Sequence, residues 1–150
     1  MFKNRLLVLL LTLFWVTAAA VSQSNEQIDA ILAEETATLG SAAYVALSAA
    51  GEVPDSATPR EAVGVAQERG WLDAEASASD PATFGRFAYM AMEAMDIPGG
   101  LMYLMFPGPR YAAREFVYQG WSPEPIAPGA TISGQLLLRI AGNFAQQVEE

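Results

Sequence analysis

The chain has 150 residues, 52% of them hydrophobic, with eight cations against seventeen carboxylates and neither cysteine nor histidine. Beyond residue 22 the balance is six arginines and no lysine against seventeen carboxylates, a net charge of −11. A field of that sign repels phosphate backbones and anionic headgroups, which argues against nucleic acid and against the membrane surface as partners. No disulfide can form, and the three commonest catalytic side chains, histidine, cysteine and lysine, are missing from that part of the chain. The expectation is a binding or structural protein, not an enzyme, without cofactor or metal.

The chain opens Met1-Phe2-Lys3-Asn4-Arg5, runs apolar from Leu6 to Val16 except at Thr12, and reaches small residues at Ala18, Ala19, Ala20 and Ser22. This is the form of a secretory signal peptide over residues 1–22. The run is too short to cross a hydrocarbon core of about 30 Å unaided, and no cationic flank follows it, so cleavage is expected, not anchoring. Ala18-Ala19-Ala20 would leave Val21 as the new N-terminus, and Ala20-Val21-Ser22 would leave Gln23. The absence of a following cysteine excludes a lipoprotein. The product is expected in the periplasm or outside the cell, at the envelope, as one domain over residues 23–150.

Three pairs of helices are predicted, over about 24–51, 58–96 and 108–148, and no strand pattern is present. In the first, Ser24 and Gln27 can form a capping box, Ile28, Ile31 and Leu32 make an apolar stripe, and Thr38-Leu39-Gly40-Ser41-Ala42-Ala43-Tyr44-Val45-Ala46 follows. The second opens Pro59-Arg60-Glu61-Ala62, with Thr58 and Glu61 as a capping box, and ends Gly70-Trp71. Its partner reads Thr83-Phe84-Gly85-Arg86-Phe87-Ala88-Tyr89-Met90-Ala91, preceded by Asp80-Pro81 as cap and first helical residue. Phe84, Phe87, Ala88, Ala91 and Met95 form one face. The third returns as Pro109-Arg110-Tyr111-Ala112, ends Gly120-Trp121, and continues, after a one-residue insertion, as Thr131-Ile132-Ser133-Gly134. Proline suits N1 and glycine suits the left-handed residue past a helix end, so the recurrence has a physical meaning. It is read as a three-fold internal repeat of helix-loop-helix units.

A first helix that ends in Gly-Trp in the second and third units but not in the first, a polar loop, and threonine at the head of a second helix, in three tandem units behind a signal peptide, resembles the S-layer homology domain. The resemblance implies an all-α bundle that docks on cell-wall polysaccharide or a peptidoglycan-linked polymer. That family opens its second helix with Thr-Arg-Ala-Glu and uses the arginine in binding. Here the corresponding residues are Thr38-Leu39-Gly40-Ser41, Thr83-Phe84-Gly85-Arg86 and Thr131-Ile132-Ser133-Gly134.

Arg60 and Arg110 stand in the first turn of their helices, where the macrodipole disfavours a cation. Either they form internal salt bridges or they receive an anionic wall polymer such as a pyruvylated or phosphorylated glycan. Trp71 and Trp121 are expected to pack back on the helices they terminate, the alternative being a sugar-stacking platform. Met90, Met92, Met95, Met102 and Met105 are read as core fillers in preference to thioether ligands for Cu(I). Glu34-Glu35 and Glu149-Glu150 are read as solvated ends. Leu101-Met102-Tyr103-Leu104-Met105-Phe106, between Pro/Gly brackets, is either a short buried helix or an exposed patch for an envelope protein, the second possible partner.

Overall fold

A computed structural model describes residues 25–148; the signal-peptide reading and Ser24, Glu149 and Glu150 lie outside them. The described residues are all-helical: α1 covers 25–32, followed by α2 (Leu39–Ala49), α3 (Pro59–Glu68), α4 (Phe84–Ala94), α5 (Leu101–Met105), α6 (Pro109–Tyr118) and α7 (Gly134–Val148). The described residues form no strand, only two isolated antiparallel bridges, Thr38 with Pro81 and Thr83 with Thr131.

Helix ends follow local hydrogen-bond chemistry. Gly51, Gly70 and Gly120 take φ of 72°, 76° and 77° just past α2, α3 and α6. The next N–H then reaches back to the helix: Glu52 to the Leu47 carbonyl at 2.9 Å, Trp71 to Ala66 at 2.8 Å, Trp121 to Phe116 at 2.9 Å. These are Schellman closures. α4 ends the same way without glycine: Asp96 takes φ 52°, a conformation its short polar side chain tolerates, and Ile97 N–H bonds the Met92 carbonyl at 2.9 Å.

Helix starts divide in two. Thr58 forms the expected capping box: its Oγ1 accepts from Glu61 N–H, and the Glu61 carboxylate accepts from Thr58 N–H at 2.6 Å. Donation from Thr58 N–H, and then from the Thr58 hydroxyl at 2.8 Å, holds the Glu61 carboxyl below the usual carboxylate range. Thr38 and Thr83 cap α2 and α4. Asp80-Pro81 therefore does not start α4 as expected. Ala82 N–H is taken by the Ala37 carbonyl at 2.8 Å, and Asp80 turns its carboxylate to Ser77 N–H at 2.8 Å. In the third segment Ser133, not Thr131, accepts from Leu136 N–H at 3.2 Å, which is where the inserted residue is absorbed.

The starts of α2, α4 and α7 are tied in a circuit. Leu39 N–H donates to the Asp80 carbonyl at 2.7 Å, Phe84 N–H to Ala130 at 2.9 Å, and Gly134 N–H to Glu34 at 2.9 Å. Each helix thus begins on the segment that precedes another, and α7 closes back on the turn between α1 and α2. The approach is too close for side chains. A Cβ on Gly85 would lie 2.8 Å from the carbonyls of Pro109 and Pro128, and one on Gly134 only 1.7 Å from that of Ile31.

α2 is buried from Leu39 through Leu47, as an all-round apolar helix must be. α3 packs on α2 and α6 on α4, while α2 also touches α4 and α7. The aromatic core centres on Phe116, whose ring lies 6.1 Å from Phe84 and from Phe87, 5.1 Å from Trp121 and 4.7 Å from Phe144. Glu34, expected as a solvated end, is half-buried and accepts from Thr38 N–H at 2.9 Å and Ser41 Oγ at 2.7 Å. It secures the turn on which α7 begins.

Candidate functional site

Two clefts lie at positions fifty residues apart in the chain, each between an outer helix and the loop that follows it. The first, about 650 Å³, runs between the start of α3 and residues 76–79, with Thr58, Arg60, Gln67, Ser77 and Ser79 on its walls. Gln67 builds the far wall. Its side-chain amide donates to the carbonyls of Asp73, Ala74 and Ala76, each at 3.0 Å, and folds the loop over α3. The second cleft, about 890 Å³, lies between α5, α6 and residues 125–128. Val117 replaces Gln67 there, Ala127 replaces Ser77 and Ile126 replaces Ala76, so the same geometry becomes apolar.

Arg60 is exposed on the first cleft. Among the described residues the ion pairs are Arg69 with Glu52 and Arg86 with Asp73, so neither Arg60 nor Arg110 forms the internal salt bridge that their placement could require. Arg110, also exposed, matches Arg60 in register, yet it does not line the second cleft. The structure brings Arg60, and not Arg110, to a concave polar surface.

The two tryptophans share a backbone position but not an environment. Trp121 is only 9% exposed, its ring 4.8 Å from Phe144 and 5.1 Å from Phe116. An indole so enclosed has no face to offer a sugar, so Trp121 is a core residue. Trp71 is half-buried against the core, with the Arg69 guanidinium 5.5 Å from its ring centroid.

The 101–106 segment is helical, as expected, but it is not the buried plug. Only Tyr103 turns inward, at 7% exposed, while Leu101 and Leu104 are 69% and 75% exposed, and Met102, Met105 and Phe106 all exceed half. Tyr103 donates to Glu93 Oε1 at 2.5 Å, and Gly100 N–H donates to Glu115 Oε2 at 3.0 Å, so two carboxylates pin α5 to α4 and α6. Burial, then that bond to Glu93, pushes the Tyr103 phenol well above its ordinary pKa. It therefore stays a neutral donor. Both pinning carboxylates escape sequence reasoning, because nothing in their spacing marks them as partners of α5. Met90 and Met92 are fully buried, whereas Met102 and Met105 are exposed on α5, so the methionines divide between core and surface.

Compared with models of protein families, with curated proteins and with solved structures, the chain matches none.

Proposed function

We propose that this chain is an exported, non-catalytic attachment domain of the cell envelope: three helix-loop-helix units in the order of an S-layer homology domain, holding a wall glycan in the polar cleft at Arg60. The observation that carries the reading is Arg60 itself. A cation in the first turn of a helix is electrostatically misplaced, Arg60 has no carboxylate within 4 Å among the described residues, and it borders a cleft that Ser77 and Ser79 also line. Serine and threonine hydroxyls donate and accept, which suits sugar hydroxyls. A guanidinium adds a bidentate contact for one carboxylate or phosphate.

The ligand that fits is a largely neutral glycan with sparse anionic substituents. A dense polyanion would meet thirteen carboxylates and only three arginines over residues 25–96. Support for the order of the units comes from the shared starts at Thr38 and Thr83 and the matching closures at Gly70-Trp71 and Gly120-Trp121.

Co-sedimentation with purified peptidoglycan sacculi tests the proposal. The exported protein, its N-terminus placed between Val21 and Gln23 by intact mass, should pellet with sacculi, and raised salt should weaken retention because the Debye length shortens. Arg60→Ala should reduce retention about tenfold, the worth of one charge-assisted contact, with unchanged helicity. Arg110→Ala should have little effect. Equal losses from the two variants would contradict the assignment of Arg60.

A further inference from the structure

The apolar second cleft and α5 are not absorbed by a glycan-binding reading. We infer that this face rests on a lipid bilayer, with α5 immersed at the headgroup boundary and Arg110 and Arg114 meeting anionic headgroups. This does not depend on the glycan reading, and it reverses what net charge alone implies.

Charge distribution carries the argument. Residues 25–96 hold thirteen carboxylates against three arginines, whereas residues 97–150 hold four against three. The acid is gathered in one part of the chain, and the part bearing α5 is close to neutral. From Ile97 through Arg114 there is no carboxylate at all, but there are two arginines, both exposed. Two carboxylates lie beside α5, Glu93, which accepts from the Tyr103 hydroxyl, and Glu115, which accepts from Gly100 N–H and lines the cleft next to Arg114, so the two arginines balance them. Asp96 is exposed beyond the bracket, ahead of Ile97.

The composition of the face matches an interface between water and lipid. Leu101, Met102, Leu104, Met105 and Phe106 are exposed together on one short helix and its end, and a contiguous exposed apolar patch marks an interaction surface. Tyr118, 85% exposed, and Tyr111 stand beside them on the cleft wall with Arg114. Tyrosine and arginine are the side chains that straddle a headgroup layer, apolar below and polar above. The cations of this face come from α6, next to the apolar α5, so two neighbouring helices together supply the apolar and basic parts that interfacial binding requires. No described helix is long and apolar enough to cross a membrane. α5, five residues and so about 7.5 Å long, reaches no deeper than the boundary.

Vesicle sedimentation decides, using phosphatidylcholine alone and a mixture with phosphatidylglycerol, with every variant in the same exported form. The wild type should bind the anionic mixture. Leu104→Glu should bind it at least about tenfold less, through lost burial. Arg110→Gln combined with Arg114→Gln should cost about twentyfold on the mixture and little on phosphatidylcholine. Because a substituted Leu104 could disturb α5, the Phe106→Trp variant provides a second reading: the emission of its new indole should shift blue and be quenched by brominated acyl chains. Wild-type protein left in the supernatant by the mixture overturns the proposal, as does a Phe106→Trp emission that brominated chains leave unquenched. So does a wild-type dimer, or a complex with an envelope protein, that is lost on Leu104→Glu while vesicles are ignored; the face would then be a protein interface.

Discussion

Gly134→Ala is expected to destabilise the protein by about 3 kcal/mol or more, at the upper end of overpacking costs. The added Cβ would sit 1.7 Å from the Ile31 carbonyl oxygen and 2.7 Å from its carbon. Those are backbone atoms, which cannot rotate aside as a side chain would, so α7 must withdraw from the turn it closes on. Withdrawal would also break the Gly134 N–H bond to Glu34 and disturb the Glu34 contacts to Thr38 and Ser41. Gly142, in the middle of the same helix, is the control, since a Cβ there would meet nothing within 4 Å. Gly142→Ala should stabilise by about 0.5–1 kcal/mol through backbone entropy and propensity. Urea denaturation of the two variants measures opposite signs if the α7 closure is as described, and equal small effects if it is not.

Phe116→Ala is expected to cost about 3–5 kcal/mol. Phe116 is fully buried and touches four other rings, from α4, α7 and the closure that ends its own helix. Truncation opens a hole that the surrounding helices, already tied at their starts, cannot close. Total stabilities run to about 5–15 kcal/mol, so the variant should be partly unfolded at ordinary temperature and its circular dichroism melt correspondingly early. Tyr118→Ala on the same helix, at a residue 85% exposed, should change stability by no more than about 0.5 kcal/mol. A mild effect of Phe116→Ala would mean that the ring cluster does not organise the core.

What is legible in the sequence is what local chemistry determines. Proline at N1, threonine at an N-cap and glycine past a helix end act within a few residues, so α3 and α6 fall where their motifs put them. The start of α4 misleads because Asp80-Pro81 is locally a good cap, while the actual backbone partner of that stretch, Ala37, lies more than forty residues away. The tryptophans show the same limit. Gly-Trp gives both tryptophans the same backbone closure, but Phe144, which encloses Trp121, comes from α7, the longest of the described helices. For the candidate sites, Arg60 is readable from its conflict with the macrodipole. That Arg110 lacks a cleft is not, because the difference arises from the apolar loop over α6 and from α5. An apolar run such as Leu101–Phe106 reads equally as core or surface until its neighbours are known. Net charge hides the segregation that makes the α5 face distinct.

The most direct measurement of the proposed function is the behaviour of Arg60→Ala in two sedimentation assays, one with sacculi and one with anionic vesicles. Arg60 lies on the polar cleft of α3, far along the chain from α5, and vesicles contain no wall polymer. With a glycan site at Arg60, the Arg60→Ala variant should be lost from the sacculus pellet while it remains with the vesicles and keeps the wild-type circular dichroism spectrum. Retention of Arg60→Ala on sacculi at the wild-type level would contradict it.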